Sequence, residues 1–101
     1  MTSTYNPQLI RDKLIESNGK PLDERLSQLV RLFADTWQTK LYFCRLHGKR
    51  WSHYVGIDNF VVPEKKIELN RNFGLIIGNS AFTDAQWDEI AALFTEQLDL
   101  S

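Results

Sequence analysis

The chain has 101 residues, 43% hydrophobic and 25% charged, a balance typical of folded globular proteins and far from the apolar-poor composition of disordered ones. Twelve Lys and Arg stand against thirteen Asp and Glu, so a net charge of -1 supplies no global field toward nucleic acid or anionic lipid. A single cysteine excludes an intramolecular disulfide and a cysteine-built zinc site, and the length admits one hydrophobic core, so one globular domain over 1–101 is expected, with residues 1–5 disordered.

The first element opens at Asn6 with Pro7 at the first helical position. It runs from Gln8 to Ser17 and closes at Asn18 and Gly19, a cap, a starter and a stop in order. Its apolar residues are only Leu9, Ile10, Leu14 and Ile15, so it is expected on the surface of the core. A second helix begins near Pro21, with Asp23 and Glu24 in its first turn, where carboxylates oppose the positive end of the macrodipole. Leu22, Leu26, Leu29, Val30, Phe33 and Trp37 then draw one apolar stripe along it, which makes it a core-facing helix.

From Leu41 the period changes. Leu41–Leu46 and Trp51–Val55 are rich in aromatic and β-branched types and flank His47, Gly48, Lys49 and Arg50, which reads as a hairpin with a loop of two or four residues. Either loop places Tyr42, Cys44, Leu46, Trp51, His53 and Val55 on one face and Leu41, Phe43, Arg45, Ser52 and Tyr54 on the other. Both faces carry aromatic residues, so the side away from the core is expected to be covered or to form an interface. The covering reading assigns that role to the first helix and the loop Phe60–Pro63.

Lys66–Asn70 alternates as a third strand. Asn70, Arg71 and Asn72 then look like a tight reversal into a buried strand from Phe73 to Ile77, the alternative being one long strand bent at Gly74. Gly74, Gly78 and Asn79 match no phosphate-binding spacing and read as turn residues at strand ends. The last helix has the clearest start in the chain: Thr83 caps, Gln86 completes a capping box, and Phe82 and Trp87 occupy the staple positions. Trp87, Ile90, Ala91, Phe94 and Leu98 form its core stripe to the end of the chain. The expected fold is α+β: an antiparallel three- to four-stranded meander packed against N-terminal and C-terminal helices, in the order α-α-β-β-β-β-α.

Charge is distributed unevenly. Between Thr36 and Ile57 lie Lys40, Arg45, Lys49, Arg50 and both histidines with no acid, whereas Asn72 to Ser101 holds five acids and no base. The candidate site is therefore the basic, aromatic hairpin: Arg45, Lys49, Arg50, Trp51, Tyr54 and Tyr42. It is expected to bind a protein partner or a second copy of the chain, giving a dimer or higher homo-oligomer through complementary charge and exposed rings. The alternative ligand is nucleic acid, with Lys49 and Arg50 on phosphates and Trp51 or a tyrosine stacked on bases. The ordinary reading is a solvated surface with some of these charges paired to the acidic helix.

Cys44 and His53 fall on one face, but two ligands are too few for a structural zinc site, and no metal or other cofactor is expected. Nor is a nucleophile accompanied by an oxyanion loop, or a phosphate loop or His-Glu-x-x-His spacing present, so catalysis is not the favoured reading. In architecture alone, a helix-flanked antiparallel sheet of this length resembles profilin-like and sensor-like modules, which implies a small ligand held between sheet and helices as a further alternative. Residues 1–6 show no basic n-region followed by an apolar run, and no segment is long enough to span a bilayer. With a lone thiol, this suits the cytoplasm and no membrane partner. The preferred function is a small regulatory or adaptor domain that acts by protein association.

Overall fold

The first and last helices start on side-chain hydrogen bonds, whereas the second starts after a proline with no side-chain cap. In the computed structural model, which describes residues 5–58, 62–79, 82–98 and 100, the Asn6 side chain accepts the amide of Gln8 and Pro7 opens α1 (Pro7–Glu16). Pro21 precedes α2 (Leu22–Trp37), whose first turn carries Asp23 and Glu24. At α3 (Asp84–Gln97) the Thr83 hydroxyl accepts the Gln86 amide at 3.2 Å and the Gln86 side chain accepts the Thr83 amide at 2.9 Å, the reciprocal capping box expected there. The staple is also present, with the Phe82 and Trp87 rings 5.4 Å apart.

Four antiparallel strands follow α2: β1 (Lys40–His47), β2 (Arg50–Gly56), β3 (Lys65–Glu68) and β4 (Phe73–Asn79). The first hairpin turns on Gly48 and Lys49, with Gly48 at φ +65° and His47 opposite Arg50. In the second, the Asn70 side-chain oxygen accepts the amides of Asn72 and Phe73, each at 2.8 Å, which makes the reversal and removes the long-strand alternative. The strand order is β2-β1-β4-β3. Two hairpins therefore lie side by side, joined through β1 and β4 in place of the simple meander expected, a pairing that sequence neighbourhood does not announce.

The helices cover one face. Leu26, Leu29, Val30, Phe33 and Trp37 of α2 and Trp87, Ile90, Leu93 and Phe94 of α3 pack with Leu41, Phe43, Phe73, Leu75 and Ile77 of the sheet. Leu93 joins this core although it lies outside the expected stripe, and Ala91 is only half-buried. α1 contributes Ile10 and Leu14 and leaves Leu9 and Ile15 exposed, as its thin apolar content implies. It lies against α2 and α3.

Expectations for residues 1–4 and for Phe60 and Val61 fall outside the described residues. Tyr5 donates its hydroxyl to Glu89 at 2.7 Å and sets its ring edge-on to Phe82.

One cation is buried in this layer. Arg25, 7% exposed, donates to the carbonyls of Leu14 at 3.0 Å and Gln97 at 3.3 Å and to the Ser17 hydroxyl. Those carbonyls belong to the last turns of α1 and α3, where backbone acceptors lack helical donors and partial negative charge accumulates. No helix in the described residues is long and apolar enough to cross a membrane.

Candidate binding surface on the sheet

The face of the sheet away from the helices has a cluster of its own. Cys44 and Leu46 of β1 and Ile76 of β4 are nearly inaccessible, with half-buried Tyr42 and Trp51 packed against them, and no helical residue takes part. Tyr42 and the indole of Trp51 cover them. The register of Trp51 places it opposite Leu46, and its ring reaches across β1 to lie on Gly74 of β4. A Cβ built on Gly74 would fall 2.7 and 2.9 Å from two carbons of that ring, so only glycine leaves it a seat. Gly74 is thus not a strand-end turn residue; it stands within β4 and makes room for an aromatic side chain two strands away.

The rim of this surface is polar. Lys66 Nζ stands 5.6 Å from the centre of the Trp51 ring, within cation–π range. The Tyr42 and His53 rings lie 5.1 Å apart, and His53 Nε2 is 3.1 Å from the Gly56 carbonyl. Glu68, in register with Gly74, is exposed two residues from exposed Lys66 on the same face. Burial raises the Tyr42 hydroxyl above its ordinary pKa, and the neighbouring Cys44 and Asp58 push the same way. Burial likewise pushes the Cys44 thiol up to about 11, with the Lys66 charge acting in the opposite direction.

Cys44 is therefore a neutral, shielded thiol at physiological pH. Replacing Trp51 with Ala is expected to speed its alkylation in the folded protein by about tenfold or more, read by mass spectrometry of iodoacetamide-treated samples. An unchanged rate would mean that the indole is not the lid.

The expected site residues separate into two groups. Tyr42 and Trp51 share the helix-free face. Tyr54 is on the other side, its ring 6.0 Å from that of Phe73, and the Arg45 guanidinium lies 4.6 Å above the Tyr54 ring and 5.4 Å from Phe73. Arg50, opposite His47, falls in the register of that same side, and Lys49 sits in the turn. Val55 is a correction: expected beside Trp51, it instead pairs with Phe43 and packs on the main core, because Tyr54 is an extra residue that bulges β2 between the Cys44 and Phe43 pairings.

Cys44 and His53 are direct cross-strand partners, yet among the described residues no three of His, Cys, Asp and Glu converge. Among the same residues, Arg45, Lys49 and Arg50 make no ion pair with the acidic helix, whereas Lys65 of β3 bridges Asp84 at 2.9 Å.

Other concavities lie at the margins. Shallow grooves of about 390 and 300 Å³ occur between α2 and β2, lined by Val30, Ala34, Val55 and Ile57 among others, and around Lys65, Asp84 and Trp87. The layer between sheet and helices is filled by Phe33, Phe43, Phe73, Phe94 and Trp87, each at most 2% exposed. No protein-family model matches the sequence, and comparison with curated proteins and with solved structures finds no significant similarity.

Proposed function

We propose that this chain is a binding module that acts by associating with another protein chain through the helix-free face of its sheet. The carrying observation is one-sided packing: the helical layer lies on one face, while the other presents half-buried Trp51 and Tyr42 over a small apolar cluster with a charged rim. Aromatic side chains anchored on a rigid sheet lose little conformational freedom on docking and are the residue types enriched at interface centres. The reading is a regulatory or adaptor role, since the surface offers aromatic and apolar contact area over a shielded thiol.

The test is photo-cross-linking in cells expressing the chain, with benzoylphenylalanine in place of exposed His53 and, as control, in place of exposed Arg11 on α1. A protease-sensitive, nuclease-resistant adduct from position 53 and none from position 11 is the expected result. No adduct from position 53 would reject the reading. A nuclease-sensitive one would replace it with single-stranded nucleic-acid binding, for which stacking on Trp51 is the physical basis.

A further inference from the structure

We infer that the partner on this face is a second copy of the chain, docked sheet against sheet about a twofold axis; the inference rests on the association reading above. Its first support is charge. Lys66 and Glu68 point from β3 to the helix-free face two residues apart, both exposed and neither ion-paired among the described residues. A twofold axis lying between the two faces and crossing β3 between these residues sets each Lys66 against Glu68 of the partner subunit, twice over. A set of charges that complements itself under a twofold rotation is what an isologous contact requires.

The register carries the axis further. Lys66 lies beside Ile76 and Tyr42, and Glu68 beside Gly74 and Cys44, so the same axis passes between the Tyr42 and Cys44 rows. Each Tyr42 row then meets the row of Cys44 and Gly74 on the other copy, where the Trp51 indole lies. The strands of the two copies run antiparallel across the interface, an aligned sandwich of the usual kind.

Area sets the strength. Four strands about 4.8 Å apart, three of seven or eight residues and β3 of four at about 3.3 Å each, present a face of roughly 400 Å². Two such faces bury on the order of 800 Å², below the standard interface size, which corresponds to a weak and reversible dimer. The sealing of Cys44, Leu46 and Ile76 within one chain agrees with this, because the monomer needs no partner to remain folded.

Sedimentation equilibrium of the full chain over a concentration series tests the inference. The wild type is expected to dimerise reversibly. Lys66→Glu sets carboxylates against each other and Glu68→Lys sets ammonium groups against each other, so each single variant should dimerise about tenfold or more weakly. An equimolar mixture of the two should recover the wild-type affinity as a heterodimer, identified by native mass spectrometry. Both changes lie on exposed side chains, so neither threatens folding. A monomer up to about millimolar concentration, or a dimer indifferent to both single changes, overturns the inference. A monomer that still gives the protein adduct from position 53 overturns self-pairing alone and leaves the association reading in place.

Discussion

Replacing Gly56 with Ala is expected to destabilise the fold by about 3 kcal/mol or more, through two causes that act together. The backbone there has φ +132°, a conformation that L side chains rarely adopt. An added Cβ would also stand 2.6 Å from the Tyr42 Cα and 2.7 Å from the Leu41 carbonyl oxygen, both backbone atoms of the central strand β1. A flexible side chain could yield, but a strand hydrogen-bonded on both sides cannot move without losing its register. The measurement is urea unfolding. A loss below about 1 kcal/mol would show that β2 leaves the sheet before this residue.

Removing the Trp87 side chain is the second large effect, about 3 to 5 kcal/mol for Trp87→Ala. The indole is 1% exposed, lies nearly parallel to Phe33 at 5.9 Å and meets Phe82 at 5.4 Å, so its loss opens a cavity where α2, α3 and the staple converge. Phe33 is already held edge-on by Trp37, Phe82 and Phe94, so it does not collapse freely into that space. A loss under about 1 kcal/mol would mean that α3 turns a different side to the core.

Much of the architecture was legible because it is written in short-range signals. Caps at Asn6 and Thr83, the stripe from Leu26 to Trp37 and the turns at Gly48 and Asn70 depend on residues within a few positions of each other. The strand order was not legible, since the pairing of Leu41 with Ile77 joins positions far apart in the chain whose apolar types would suit many neighbours. The bulge at Tyr54 was equally hidden: one extra residue in an aromatic run leaves no mark on alternation, yet it carries Val55 to the opposite side.

The surface was half legible. Alternation placed Trp51, Tyr42, Cys44 and His53 together and Arg45 and Tyr54 apart from them, but grouping by charge and ring content drew both sets into one site. Lys66 and Glu68 were missed because they looked like ordinary strand polarity. Only the register beside Ile76 and Gly74 shows that they border the indole. The signal for the seat of the ring was present in Gly74, a residue without a side chain inside an otherwise apolar strand.

The buried guanidinium of Arg25 bears on the timing of folding. Its acceptors come from Leu14, eleven residues earlier, and from Gln97, seventy-two residues later. During synthesis, α1 and α2 can come together as soon as both exist, but the cation between them then keeps an unfilled donor and must stay hydrated until the end of α3 arrives. The dry contact between the two N-terminal helices is therefore complete only once the last turn of α3 is in place.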